Sequence, residues 1–131
     1  MQFQIATDYA IRILLYLKMH KNELPTAMVI AQEMGITYPF FIKVANRLKN
    51  EGLISAVQGR NGGYYLGRPA DEISLYDIIR AIEGDVILNR CLREDGFCSR
   101  NATEWCPVHK IFEGLQGEFV AKLDAIKIEG I

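Results

Sequence analysis

Apolar residues recur at helical spacing near the start of the chain and predict an amphipathic first helix from Ile5 to Lys18. "NELPT" interrupts this pattern, and two more helical segments follow. The segment "AMVIAQEM" has Thr26 as its N-cap and ends at Gly35, and "YPFFIKVANRLKNE" has Thr37 as its N-cap. Two helices joined by a short, glycine-containing turn have the spacing of a helix-turn-helix.

Strand-like sequence follows the helix pair directly. "LISAVQ" and "YYL" flank "GRNGG", a turn rich in residues that tolerate positive φ. A hairpin with a basic, glycine-rich tip behind a helix-turn-helix is typical of a wing. We therefore expect a mainly α protein with a small β wing, a winged helix-turn-helix.

The region after the wing predicts two further helices. Ser74 opens "LYDIIRAIEG" and lies in capping-box spacing with Asp77. After Pro107 the apolar residues recur at steps of three and four, and they are Phe112, Leu115, Phe119, Leu123 and Ile126. A long amphipathic helix of this kind either docks on its own core or pairs with a second copy. We favour a homodimer, because two-fold symmetry doubles the contacts of a winged module on a palindromic site.

Basic and amide side chains occupy the outward positions of the third helix, where they suit phosphates and base edges. In the wing, Arg60 would meet the DNA backbone or the negative potential of a minor groove. The candidate DNA-binding residues are Tyr38, Pro39, Lys43, Asn46 and Arg47 in the helix, and Gln58, Arg60 and Asn61 in the wing.

Composition and charge agree with a DNA-binding protein. The 131 residues, half of them hydrophobic, allow one ordinary globular unit. No apolar run has the length of a membrane span and the N-terminus does not resemble a signal peptide, so we expect a cytoplasmic protein. The net charge is −1, but residues 1–68 hold eight Lys/Arg against four Asp/Glu, whereas residues 69–131 hold seven against twelve. A basic front half suits a polyanion.

All three cysteines lie in one polar stretch, "CLREDGFCSRNATEWCPVHK", which also contains His109. Structural cysteines are usually buried among apolar residues, and an odd number cannot pair completely. Cys106 stands at the start of a helix, where the macrodipole favours a thiolate. Three thiolates with one further ligand suit an iron–sulfur cluster or tetrahedral zinc, and the wide spacing of Cys91, Cys98 and Cys106 favours the cluster. Free, redox-reactive thiols are the remaining alternative.

Several motifs together resemble a known family over essentially the whole chain. "TDYAIRILLYL", "VQGRNGGYYLGRP", "ISLYDIIRAIEG" and the cysteine trio are similar to the bacterial winged-helix regulators that include IscR and NsrR. The resemblance implies a cytoplasmic homodimer that binds operator DNA and couples the state of a [2Fe–2S] or [4Fe–4S] cluster to transcription. It also implies that paired long helices form the dimer interface and place each cluster near the partner's DNA-binding domain.

The resemblance implies two candidates for the fourth cluster ligand. IscR-like members use a histidine three residues after the last cysteine, which is His109 here. NsrR-like members use an aspartate of the first helix that reaches across the dimer, which is Asp8 here, and the "TDY" context favours it. The chain departs from the family at Gln58, where members often carry arginine, and at Tyr38, Pro39 and Ile42, where members carry more polar residues. We therefore expect the operator that this chain prefers to differ from those of IscR and NsrR.

We thus expect residues 1–68 to form the DNA-binding domain and residues 69–131 to supply the cluster-binding loop and dimerisation helix, packed as one unit with the first. The predicted function is an iron–sulfur-dependent transcriptional repressor that senses nitric oxide, redox state or iron–sulfur status. Its partners are double-stranded operator DNA and a second copy, with no membrane and no small-molecule substrate. We do not expect an enzyme, since no Cys-x-x-Cys pair or catalytic partner is present. The alternative is a zinc-stabilised winged-helix module that binds DNA or protein without redox sensing.

Overall fold

Five α-helices and one two-stranded antiparallel sheet make up the chain, and the computed structural model describes all residues from 1 to 131. The helices are α1 (Ile5–Met19), α2 (Ala27–Met34), α3 (Tyr38–Asn50), α4 (Leu75–Glu83) and α5 (Pro107–Ala125). The strands are β1 (Ile54–Val57) and β2 (Gly63–Leu66), paired from Ile54↔Leu66 to Val57↔Gly63. The mainly α fold with a small β wing is confirmed. None of the helices combines the length and the apolar character that crossing a membrane requires.

Local capping explains why the helices begin and end where the sequence predicts. The Thr26 hydroxyl accepts a hydrogen bond from a backbone N–H in the first turn of α2, and Gly35 ends that helix at φ 69°. At α4, Ser74 and Asp77 form a complete capping box, with bonds of 2.9 and 3.0 Å. Thr37 occupies the N-cap position of α3, but its side chain accepts no capping bond.

A single hydrophobic core joins the winged helix to the residues beyond it. α1 contributes Ile13 and Leu17, and α3 contributes Phe41, which is fully buried. Ile78 of α4 and Ile128 near the C-terminus belong to the same cluster. Residues from both sides of position 68 thus share one core. The assignment of DNA binding to residues 1–68, and of cluster binding and dimerisation to residues 69–131, remains a prediction.

The wing is fixed against the helix-turn-helix by close backbone and ring contacts. The Tyr64 N–H donates to the carbonyl of Pro25 at 2.9 Å, and the Tyr64 ring packs edge-on against Phe41 at 5.4 Å. A Cβ at Gly63 would lie 2.2 Å from the Leu24 carbonyl oxygen, so only glycine allows this approach. The position of the wing relative to α3 is therefore set by packing.

The C-terminal end of the chain differs from the predicted helical stripe. α5 ends at Ala125, so the prediction that Ile126 belongs to this helix is wrong. The Ile126 carbonyl accepts a hydrogen bond of 2.8 Å from the Leu75 N–H, and the Ile128 N–H donates to Ile73 at 3.0 Å. These long-range backbone bonds stop the helix because they turn the chain back onto the segment that precedes α4.

Glu83, the last residue of α4, ties three helices together. Its carboxylate accepts hydrogen bonds from the Gln4 N–H at 2.7 Å, the Gln4 side-chain amide at 3.2 Å and the buried Thr7 hydroxyl at 2.6 Å. The N-cap Gln4 has no capping bond of its own, so Glu83 supplies an acceptor and a negative charge at the start of α1. One residue earlier, the Ile82 carbonyl accepts a hydrogen bond of 3.1 Å from Arg47 of α3. We call these contacts the Glu83 junction.

The junction also sets the ionisation of its carboxylate. Burial alone would raise the pKa of Glu83, but hydrogen bonds from Thr7 and Gln4 and the charge of Arg47 outweigh it, and the pKa lies below its ordinary value. A folded-state pKa below the unfolded value gives stability that is present above the unfolded pKa. That stability is lost as the pH falls through the folded pKa.

We predict that Glu83→Gln lowers the free energy of unfolding at pH 7 by about 1–2 kcal/mol, because the charged acceptor of three hydrogen bonds is lost. Urea denaturation measures this. The difference from wild type should shrink as the pH falls below the ordinary carboxyl pKa of about 4.3 and through the lower folded-state pKa of Glu83. Glu72→Gln is the control, since Glu72 is exposed and forms no side-chain hydrogen bond. Equal losses for the two variants would contradict the role of the junction.

Candidate functional site

The outward side of α3 carries most of the predicted DNA-binding residues of this helix. Tyr38, Pro39, Lys43 and Asn46 are exposed, whereas the intervening positions pack into the core. Arg47 is different, because its guanidinium is already bonded to the Ile82 carbonyl. Its contact with DNA remains a prediction.

The wing presents its predicted residues at a tight hairpin tip. Gln58, Arg60 and Asn61 are all exposed between the two strands. A Cβ at Gly62 would lie 1.9 Å from the Val57 carbonyl oxygen, and Gly59 has a φ of 104°, so both positions require glycine. Because the glycines close the turn, the side chain of Arg60 projects from a fixed tip.

The stretch of chain that contains α3 and the wing is predominantly basic. From Met34 to Ala70 the chain carries five Lys/Arg and a single acid, Glu51. Lys43 and Arg60 take part in none of the five ion pairs of the chain. Exposed cations without acidic partners are available to neutralise phosphates.

The cysteine stretch is an ordered segment, held by its own polar contacts. Arg90 and Asp95 form a bidentate ion pair with bonds of 2.6 and 2.7 Å. The Thr103 hydroxyl donates to the Gly96 carbonyl at 2.7 Å, and nearby Ala102 is buried. The segment therefore has a defined shape between the end of α4 and the start of α5.

Three thiols and one imidazole line a single cavity of about 260 Å³ in this segment. Cys91, Cys98, Cys106 and His109 all contribute to its wall, and each is only partly exposed. The His109 Nδ1 lies 3.0 Å from the Cys91 sulfur, which also accepts a weaker bond of 3.4 Å from the Asn89 amide. The four side chains do not converge to the spacing of a metal site. They supply a Cys₃His donor set of the kind that iron–sulfur clusters and zinc accept.

The local electrostatics favour thiolates. Hydrogen bonds from the backbone N–H groups of Ala102 and Arg100 lower the pKa of the Cys98 thiol. Cys106 occupies the N-cap position of the nineteen-residue helix α5. The hydrogen bonds to Cys98 stabilise negative charge on its sulfur, the form that binds metal ions.

Asp8 lies away from this cavity within the chain. It is on α1, about half exposed, and pairs with Arg12 at 2.7 Å. It does not line the cavity that holds the cysteines and His109. A role for Asp8 as a cluster ligand would therefore require the partner chain, as the family resemblance implies.

The predicted dimerisation residues fall into different environments. Leu115 and Phe119 are exposed on α5, Phe112 is half-buried, and Leu123 is buried within the chain. Ile126 is exposed beyond the helix end. Pairing through these residues remains a prediction.

Two features of the structure are not predicted from the sequence, the N-terminal part of the apolar face of α5 and the Glu83 junction. Val108 and Ile111 are 51% and 60% exposed and extend the apolar face of Leu115 and Phe119 by one turn. Their three- and four-residue spacing was a signal that could have found them. The Glu83 junction had no comparable signal, because its contacts are long-range: Glu83 lies 79 residues from Gln4 and 76 from Thr7, and Ile82 lies 35 from Arg47.

Comparisons with known proteins agree with the geometry. The Rrf2 family model, described as iron-dependent transcriptional regulators, matches residues 3–131. Protein aau3 of Rhizobium meliloti (strain 1021) is 33% identical over 118 residues, which cover 85% of this chain and 77% of that protein.

Two solved structures show the same architecture. IscR of T. potens superimposes with a TM-score of 0.76 at 22% identity, covering 98% of this chain and 84% of that chain. CymR, the global cysteine regulator of B. subtilis, gives a TM-score of 0.70 at 26% identity, covering 98% and 94%. The family match spans nearly the whole sequence, and the chain therefore belongs to the Rrf2 family, as a winged-helix transcriptional regulator rather than an enzyme.

Proposed function

We propose that the chain is an iron–sulfur cluster-dependent repressor that reads operator DNA with its winged helix and holds the cluster with Cys91, Cys98 and Cys106. The observation that carries this proposal is the single cavity whose wall contains all three thiols and one imidazole. The donor set fits, since soft thiolates favour iron–sulfur clusters. A bound cluster would supply iron that is sensitive to nitric oxide, to oxidants and to iron shortage.

We assign His109 as the fourth ligand, although the sequence context favoured Asp8. The imidazole lies beside the Cys91 sulfur at 3.0 Å in the same chain, and imidazole is a good donor to iron. Asp8 is already paired with Arg12 and would have to reach from a partner chain. The carboxylate is the alternative ligand of this proposal.

The Glu83 junction supplies a physical connection between the cysteine segment and the winged helix. The segment begins directly after α4, at Gly84, whose φ of 82° sets the direction in which the chain leaves the helix. A shift of the segment acts on Glu83, which holds the start of α1, and on the Ile82 carbonyl, which holds Arg47 of α3. Operator affinity then changes by the difference in DNA binding between the two states of the segment.

We further propose that the chain acts as a homodimer through α5. The exposed apolar side chains Val108, Ile111, Leu115 and Phe119 follow one another at helical spacing along this helix. A continuous apolar face of this kind marks an interaction surface. A second copy would cover it and double the DNA contacts.

A structural zinc site in the same cavity is the second candidate. Zinc binds Cys₃His sets in tetrahedral geometry, and the wall of the cavity offers that set. Zinc would stabilise the segment without redox sensing. Metal and sulfide analysis of the purified protein separates the cluster from zinc.

We predict that Cys98→Ala, purified anaerobically, loses iron, sulfide and the thiolate-to-iron absorbance, because one of the three thiolate ligands is removed. Metal and sulfide counts and the visible spectrum measure this. Ser99→Ala is the matched control, since Ser99 lines the same cavity without offering a thiol. His109→Ala should alter the spectrum, whereas Asp8→Ala should leave it unchanged.

A wild-type protein that is colourless and holds stoichiometric zinc would contradict the cluster and support the zinc site. A normally coloured Cys98→Ala variant would overturn the ligand assignment. An altered spectrum for Asp8→Ala, with a normal one for His109→Ala, would make Asp8 the fourth ligand.

We predict that Arg60→Ala weakens operator binding several-fold and reduces the slope of log affinity against log salt concentration by about 1, because one cation that contacts the DNA backbone is lost. Binding titrations at several salt concentrations measure both quantities. Lys122→Ala on α5 removes the same charge from an exposed position far along the chain and serves as the control. If Arg60→Ala kept the wild-type salt slope, the wing would not contact DNA through this residue.

A further inference from the structure

A cleft without charged residues lies between the wing and the N-terminal ends of α2 and α3. Its volume is about 380 Å³, and its wall includes Met28, Tyr38, Val57 and Tyr64. None of its eleven lining residues is charged, although the surrounding chain from 34 to 70 is strongly basic. The cleft is thus an uncharged patch beside a basic stretch of the chain, and its wall combines Met28, Tyr38 and Val57 with the polar side chains of Thr26 and Gln58.

Three large apolar side chains in this cleft are left in solvent. Met28 is 71% exposed, Tyr38 is 50% exposed and Val57 is 47% exposed. Exposed apolar area costs about 25 cal/mol per Å² relative to burial. A cluster of such side chains at one place indicates a surface that a partner covers.

The start of α3, the proposed recognition helix, has no side chain that could form two hydrogen bonds to a base. Its first residues are Tyr38, Pro39 and Phe40, and Phe40 is half-buried with its ring edge-on to Tyr9 at 5.2 Å. The first residues of a recognition helix ordinarily contact base edges in the major groove. Bidentate reading of bases requires Arg, Lys, Asn or Gln, which are absent from these three positions. The C5-methyl group of thymine is the base feature that an apolar side chain reads.

We propose that Met28 and Tyr38 determine operator specificity by packing against thymine methyl groups. This inference rests on the proposed DNA-binding function and specifies what its reading surface recognises. The cations Lys43 and Arg60 supply affinity for the phosphate backbone. The apolar side chains of Met28 and Tyr38 in the uncharged cleft supply discrimination between bases. Charge complementarity supports DNA as the occupant, because eight of the eleven lining residues belong to the stretch from Met34 to Ala70, in which Glu51 is the only acid.

The test uses the full-length wild-type protein and an operator selected from random double-stranded DNA. Each thymine of the selected half-site is then replaced, one at a time, by deoxyuridine, which keeps Watson–Crick pairing and lacks only the methyl group. We expect wild-type affinity to fall about fourfold at one or more of these positions. Met28→Ala and Tyr38→Ala should bind the thymine operator more weakly, and for each variant at least one of the wild-type deoxyuridine penalties should disappear.

Two controls match these variants. Val29→Ala removes an exposed apolar side chain next to Met28 that does not line the cleft, and it should keep every penalty. Tyr38→Phe keeps the ring and loses only the hydroxyl, so it should also keep the penalties. Both Met28 and Tyr38 are exposed, so thermal melting should show unchanged folding.

The outcomes separate this inference from the function on which it rests. Wild-type binding that depends on salt but is insensitive to every deoxyuridine would overturn the inference alone. If Met28→Ala and Tyr38→Ala both kept every loss of affinity that deoxyuridine causes in the wild type, the inference alone would also be overturned. A protein that selects no DNA sequence would overturn both the inference and the proposed DNA-binding function.

Discussion

The carboxylate of Glu83 joins the end of α4, which leads into the cysteine segment, to the start of α1. It accepts three hydrogen bonds at the start of α1, and the preceding carbonyl, that of Ile82, accepts one from Arg47 of α3. Backbone groups at helix ends lack partners within the helix, so an acidic side chain at the start of α1 satisfies donors that would otherwise be left open. The same residue ends α4 and precedes the cysteine segment. The helix α3, which carries predicted DNA-binding residues, and the cysteine segment are therefore both joined to the end of α4.

Local interactions explain which parts of the fold the sequence predicts well. The capping box at Ser74 and Asp77 and the left-handed glycine at Gly35 involve residues within a few positions of each other, so their pattern is visible in the chain. Long-range contacts are not visible in this way. The pairing of Ile128 with Ile73, which ends the predicted stripe before Ile126, depends on residues more than fifty positions apart. The Glu83 junction belongs to the same class.

The same distinction between local and long-range contacts applies to the candidate site. The polar surroundings of the cysteines predict that they have chemistry to perform, and the spacing of Cys106 and His109 on one helix turn predicts that both are available. The sequence does not show that Cys91 would lie 3.0 Å from His109, because that contact depends on how the segment folds over α5. It also leaves open whether Asp8 takes part, since this requires knowledge of a second chain.

We propose that the state of the cysteine segment changes how tightly the winged helix binds DNA. The most direct test of this coupling is the operator dissociation constant of one anaerobic preparation, measured at fixed salt with its cluster and again after removal of the iron by a chelator. The two constants should differ by about 5- to 150-fold, the usual range for coupling between two sites. Equal constants for the two forms, with operator binding intact, would contradict the claim.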